Sequence, residues 1–353
     1  MNDTMTAPSS AVAAPVRVGV VGLGFMGLTH LKAYQQIPGV TIVAVADAYK
    51  QVVNGVIPGV GGNISDAAAF RLPAGTRVYR RAVELLADEA VDLVDLCVPT
   101  PEHVELSVAA LRAGKHVICE KPLARNAARC RPLVAAAASA STYFMPAMCM
   151  RFWPGWDWLR PAIEQGRYGK VLAARFRRVS APPGWSQASY FRGEESGGAL
   201  LDLHIHDTDF VQFCFGRPVA VFARGFSRFS GAVDHVVTHY VVRGGATVWA
   251  EGSWVMHGAF PFSMSYTVNF ENATADYDLA RGPEALRIYQ DGQPAQAIET
   301  AGGDGYVGEL THMIQSIRER KPPTVVTLQD AVSAVEICEA EEKSVQTGHL
   351  VAL

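Results

Sequence analysis

In the first 150 residues, apolar positions cluster in short unbroken runs instead of alternating with polar ones. Val16 to Val21, Val40 to Ala46, Val91 to Val98 and Lys115 to Cys119 are strand-length and rich in β-branched residues. Runs of this kind are strands buried on both faces of a parallel sheet. Helical stretches separate them: one after Gly27, one over Ala82 to Ala87, and one from Pro101 that Gly114 stops. Thr100 is the expected N-cap of the last, with Pro101 at its first helical position. Arg77-Val78-Tyr79 adds a short strand, and strands alternating with helices predict an α/β, doubly wound parallel sheet. Residues 54–75, dense in Gly, Pro and Asn, are expected to hold a poorly defined helix and a surface insertion.

Further on, the pattern turns to hairpins. Val171 to Val179 reads as a strand, and His239 to Val242, Arg243-Gly244-Gly245 and Ala246 to Glu251 read as strand, turn and strand. Met264 to Phe270, Thr274 to Leu279 and Leu286 to Gln290 supply further strands, with a turn at Asp291-Gly292. Thr327-Leu328-Gln329-Asp330 is a capping box opening a final helix that Gly348 closes. With 353 residues two domains are expected: 16–148 and 149–353, after a tail at 1–15, with helix 328–347 packing back towards the first. The tail is rich in Ser, Thr, Ala and Pro and lacks a basic and an apolar region, so it reads as disordered and not as a signal peptide.

Composition narrows the classes. A net charge of -3 leaves no basic footprint for nucleic acid, and no apolar stretch reaches membrane-spanning length. Six scattered cysteines without a C-x-x-C pair fit buried thiols in a reducing cytoplasm, not a disulfide framework or zinc site.

The first candidate chemistry is G-x-G-x-x-G at Gly22, Gly24 and Gly27, between the first strand and its helix, with Phe25 and Met26 inside the turn. Such a turn brings backbone N–H groups against a pyrophosphate at a helix start. Asp47 closes the second strand 20 residues beyond Gly27, where a carboxylate accepts from adenosine ribose hydroxyls. That favours NAD; Lys50, Arg80 and Arg81 keep NADP open. Pro99, Thr100 and His103 follow another strand at the ligand-facing rim, as do Glu120 and Lys121 before Pro122.

A second constellation lies at 196–211. If Ser196 caps a helix, Asp202 and His206 fall at i and i+4 on one face, and Asp209 is placed to orient the imidazole. His204 diverges from His206 on a helix, so no metal site is expected. Trp153, Trp156, Trp158, Trp185 and Tyr190 suit either a sugar face or a core. Arg175, Arg177 and Arg178 suit either an acidic substrate or a solvated or interface face.

These stretches, above all Ala113-Gly114-Lys115-His116-Val117-Ile118-Cys119-Glu120-Lys121-Pro122 with Gly22 to Gly27 and Asp47, resemble the glucose–fructose oxidoreductase / inositol dehydrogenase / MocA family. The likeness continues through Arg151-Phe152-Trp153-Pro154, Gly197 to Asp207 and the closing helix. It implies a second domain built on a large, mostly antiparallel open sheet, and a homo-oligomer, dimer or tetramer. It also implies Lys121, Asp202 and His206 as the catalytic set, and hydride transfer between NAD and a sugar, inositol, polyol or glycoside. Arg151, Trp153, Trp185, Tyr190 and His204 become candidate substrate contacts. His204 stands where the family usually has a small residue, so it narrows the pocket, meets a substrate hydroxyl or pairs with a neighbouring carboxylate. The rival readings are an NAD-dependent glycoside-cleaving enzyme and a non-catalytic dinucleotide sensor.

Overall fold

The structure, a computed structural model, describes residues 14–62, 68–184, 190–300 and 302–353. The buried runs of the first half form β1 (Val16–Val21), β2 (Val40–Ala46), β3 (Arg77–Tyr79), β4 (Leu93–Leu96), β5 (His116–Glu120) and β6 (Phe144–Ala147). They pair in parallel in the order β3-β2-β1-β4-β5-β6. The order reverses beside β1, so the turns after β1 and β4 open one crevice at the strands' carboxyl ends. Helix α1 (Phe25–Tyr34) follows the glycine turn and α2 (Thr100–Arg112) follows β4. Pro99, not Thr100, is the N-cap of α2; Thr100 already has helical geometry. Pro101 loses nothing in the first turn, where an N–H has no intrahelical acceptor.

Residues 54–75 differ from expectation. Their described part forms a two-stranded ribbon, Val56–Ile57 with Phe70–Arg71, instead of a helix. Asn54-Gly55, both at positive φ (50° and 73°), turns Val53 onto Val56. An Asn-Gly pair is a strong short hairpin signal, and Ile57 and Phe70 anchor the ribbon by burial.

The second sheet has nine strands: β7 (Val171–Val179), β8 (Ala220–Phe226), β9 (His235–Val241), β10 (Thr247–Ser253), β11 (Ser263–Phe270), β12 (Thr274–Asp278), β13 (Leu286–Tyr289), β14 (Gln296–Ala297) and β15 (Val351–Ala352). Its order is β14-β13-β12-β11-β7-β10-β9-β8-β15. Only the β7–β10 pair is parallel among the described pairs. One face packs on helices around Trp156, which is fully buried against Phe176, Phe210, Tyr266 and Tyr277. Trp156 is therefore core.

Helix α3 (Ile205–Phe215) is preceded by a π-helical turn, Leu200–His204. Ser196 ends a short turn instead of starting this helix: its hydroxyl donates to the Tyr190 carbonyl (2.8 Å) and accepts from Gly198 N–H (3.2 Å). Helix α4 (Gly305–Glu319) lies on α1, and Arg318 Nη2 donates to the Gly39 carbonyl at 2.8 Å. Helix α5 (Leu328–Thr347) begins with the expected capping box and ends at Gly348. It packs on β8 and also reaches the first domain, where Glu342 takes both Arg125 Nη groups (2.7 and 3.1 Å). No described helix is long and apolar enough to cross a membrane.

Candidate active site

The crevice beside β1 holds a cleft of about 510 Å³. Gly22, at φ 91°, closes the turn against the Cys97 carbonyl with no room for a Cβ, and Gly27 lies against the Gly22 carbonyl, which a side chain would strike. Gly24 faces open space and is the N-cap of α1 without a side-chain cap. An open, uncapped helix start is a fitted cradle for an anion. Asp47 is held by amides: Leu23 N–H donates to Oδ2 (2.7 Å), and Tyr49 and Lys50 N–H to Oδ1 (2.8 and 2.7 Å). A carboxylate has about four lone-pair sites, so acceptor capacity remains towards the cleft that Asp47 lines. Lys50, Arg80 and Arg81 line it too, as do Phe25, Met26, Pro99, Thr100, Glu120 and Lys121. His103 lines it as well, with its ring nitrogens on the Val98 and Pro122 carbonyls (2.8 and 2.7 Å).

The cleft continues into an inner pocket of about 70 Å³ shared between the domains; Phe25, Met26, Glu120, Lys121, Tyr190 and Asp202 border both. Lys121, at the end of β5, enters it before a cis Pro122. Its Nζ donates to the Asp202 carbonyl (2.7 Å) and Oδ1 (3.1 Å). Burial lowers the ammonium's pKa, but Asp202 and Glu120 outweigh it and hold the group above its ordinary value. The π-turn hands Asp202 and His206 to this one pocket; π-turns recur at functional sites. Burial, then the positive charges of Lys121 and Arg178, hold His206 well below its usual pKa, so it is a neutral imidazole near pH 7. Its Nδ1 has no hydrogen-bond partner among the described residues. Trp153 and Tyr190 line the pocket; Trp185 lies outside the described residues.

The expectations for Arg151 and Asp209 are corrected, and that for His204 is narrowed to one of its alternatives. Arg151 is not a substrate contact: it is buried, bidentate to Asp209 (2.8 and 2.7 Å), and bound to the Val325 carbonyl (2.8 Å) and Asp330 (3.2 Å). Asp209 is thereby spent on Arg151 and does not orient His206. His204 is fully buried on the opposite side of the helix, with Nε2 near Tyr240 Oη (3.1 Å), Thr238 Oγ1 (3.4 Å) and Glu341 (3.5 Å). Of the three roles weighed for it, pairing with a neighbouring carboxylate is the one observed. Arg151→Ala is expected to destabilise the fold by about 3–5 kcal/mol, because Asp209 is left buried and unpaired. Urea unfolding measures this, and a midpoint like the wild type's would refute it.

Arg178, expected to meet an acidic substrate or to lie on a solvated or interface face, is instead buried, salt-bridged to Asp207 (3.0 and 3.3 Å), and borders the pocket. Residues not singled out in the sequence complete the walls. Cys149, Met150, Phe262 and Tyr306 border it as well. Strand alternation on β7 carried a signal for Arg178, since it shares a face with the buried Phe176 and Ala174.

Residues 16–148 match the oxidoreductase family described as having an NAD-binding Rossmann fold, and residues 156–276 match the GFO/IDH/MocA C-terminal domain. The chain belongs to the GFO/IDH/MocA family. It is 29% identical over 303 residues to inositol 2-dehydrogenase of Rhizobium meliloti (strain 1021), spanning 84% of this chain and 82% of that one. It is 31% identical to 1,5-anhydro-D-fructose reductase of Ensifer adhaerens, over 64% of this chain and 75% of that one. In fold it is similar to levoglucosan dehydrogenase solved with NADH and L-sorbose (TM-score 0.80, 21% identity, 96% and 99% of the two chains). As a member of the GFO/IDH/MocA family, this chain is an oxidoreductase with an NAD-binding domain, and its glycine turn and Asp47 fit that cofactor.

Proposed function

We propose that this GFO/IDH/MocA oxidoreductase oxidises a carbinol of a sugar, inositol or related polyol, with residues 149–353 forming the substrate and oligomerisation domain. NAD, when bound, supplies the hydride acceptor. His206 takes the hydroxyl proton, as a neutral imidazole does. Lys121 donates to the substrate oxygen and steadies its developing negative charge. Asp202 holds Lys121 and accepts from a neighbouring hydroxyl. The observation that carries this reading is the Lys121–Asp202 contact made across the two domains, in a pocket that His206 also lines. The relatives' names, an inositol dehydrogenase and an anhydrofructose reductase, support the substrate class.

Incubation with NAD and a panel of inositols, aldoses and glycosides tests it: NADH and a ketone or lactone are expected one for one. Glycoside cleavage without net NADH, or no turnover with any of them, counts against it. Asp47 selects NAD by repelling a 2′-phosphate, against the attraction of Lys50, Arg80 and Arg81. Asp47→Ala is expected to narrow the NAD-over-NADP binding ratio by about tenfold, the effect of removing roughly 1.4 kcal/mol of repulsion. An unchanged ratio removes Asp47 from cofactor selection.

The outward face of the second sheet supports a homo-oligomer. Phe222 and Phe226 on β8 and Val241 on β9 are exposed there, beside stacked Phe226–His235 and His239–Trp249 pairs. Large apolar side chains exposed together on one face of a sheet favour an interface. Sedimentation velocity at micromolar concentration is expected to show a dimer or larger, and a monomer would refute it. The six cysteines are all free, which supports a cytoplasmic setting.

A further inference from the structure

One wall of the inner pocket is Glu120, whose carboxylate is joined to a buried cluster that the proposed reaction does not use. Glu120 Oε2 accepts Lys121 N–H (3.1 Å), and Oε1 lies 3.2 Å from His30 Nε2 on α1. The other ring nitrogen, Nδ1, is 2.8 Å from Asp95 Oδ2 on β4, and the Cys97 thiol donates to Asp95 Oδ1 (3.4 Å). Glu309 on α4 completes the cluster, with Oε1 3.7 Å from His30 Nε2. His30, Asp95 and Glu309 are fully buried, and neither Glu309 oxygen has a hydrogen-bond partner among the described residues.

Three carboxyls around one imidazole, away from water, cannot all ionise without stacking unpaired charge. His30 has a carboxylate at each nitrogen. Burial lowers its pKa, but Asp95 and Cys97 raise it further, so the ring stays an imidazolium. Burial raises Glu120 but His30 and Lys121 pull it down, and it ionises. Glu309 has no hydrogen-bond donor among the described residues; burial outweighs the opposing pull of His30 and, with Glu120, Asp95 and Asp304, holds it well above the carboxylate range. The remaining neighbours, Tyr34, Tyr306 and Cys149, are held neutral by burial. The other ionic groups bordering the inner pocket are Lys121 and Asp202, which pair with each other, and Arg178, whose charge is balanced by its salt bridge to the buried Asp207.

We propose that the His30 cluster carries one net negative charge, with Glu309 as its un-ionised member, and that this charge favours the oxidised, cationic nicotinamide over the reduced, neutral one. The charge is fixed in the fold and screened little by salt. This inference rests on the nicotinamide reading of the cleft.

The experiment is the ratio of the dissociation constants of NAD⁺ and NADH for the full chain at neutral pH, with an infrared spectrum of the unliganded protein. Glu309→Gln replaces one neutral group by another of the same shape, so the ratio is expected to stay within about twofold. Glu120→Gln removes a charge and is expected to shift the ratio about tenfold towards NADH. The wild type is expected to show the carbonyl stretch of an un-ionised carboxylic acid, absent in Glu309→Gln. A Glu309→Gln shift as large as that of Glu120→Gln, an unmoved ratio in Glu120→Gln, a missing infrared band, or a stoichiometric divalent metal on His30, Glu120 and Glu309 would each overturn it. If wild type binds neither form, the cofactor reading falls and the redox half of the inference falls with it. The infrared band, which needs no cofactor and no variant to appear, then still decides where the proton sits.

Discussion

His206→Ala is expected to turn over about 10²- to 10⁴-fold more slowly than wild type, the usual loss on removing a general base, with NAD binding unchanged. His206 borders the inner pocket but not the cleft that carries the glycine turn and Asp47, so the loss should fall on kcat. The pH profile sharpens the test. Only neutral imidazole accepts a proton, and His206 is held well below its ordinary value by burial, Lys121 and Arg178. Oxidation in wild type should therefore stay level as pH falls past about 6.5 and decline only when the depressed pKa is crossed. Stability moves with the same proton. Between the two pKa values the unfolded chain binds a proton that the folded chain refuses, so this histidine's contribution to stability is lost as pH falls below about 6.5. Rates at low pH must be paired with a fluorescence check that the protein is still folded. Near-wild-type turnover of His206→Ala would remove the residue from the mechanism.

What could be read without coordinates was local. The glycine turn, the β5 end and the capping box of α5 each depend on residues within a few positions of one another, so the chain displays them directly. Asp202 and His206 could be paired because one helical stretch carries both, although the π-turn beneath them has no simple sequence mark. Charged side chains resisted reading because their partners are distant. Arg151 meets Asp209 and Asp330, 58 and 179 positions away, and no local pattern separates a cation aimed at a carboxylate in the core from one aimed at a ligand. His204 was undecidable for the same reason, since Glu341 reaches it from α5. The Asn54-Gly55 hairpin is a different case: its dipeptide was in view, but the surrounding Gly and Pro content masked strands only two residues long.

Lys121→Ala is expected to lower kcat by about 10²- to 10³-fold, the loss typical of removing a donor aimed at developing oxyanion charge. The geometry restricts what this lysine can do. An ammonium has three donors, and two are taken by the Asp202 carbonyl and carboxylate. One remains for a substrate oxygen, so Lys121 is a single directed donor and not a diffuse positive charge. Asp202 and Glu120 hold it protonated above its ordinary value, so it should not supply the alkaline limb of the rate profile, nor exchange roles with His206 as the base. Because Asp202 sets the aim of that one free donor, the two residues act as a unit. Lys121→Ala combined with Asp202→Ala should then cost clearly less than the product of the single losses. Strict multiplicativity in that double-mutant cycle would mean that the contact between the domains serves packing alone, and that the substrate oxygen finds its donor elsewhere.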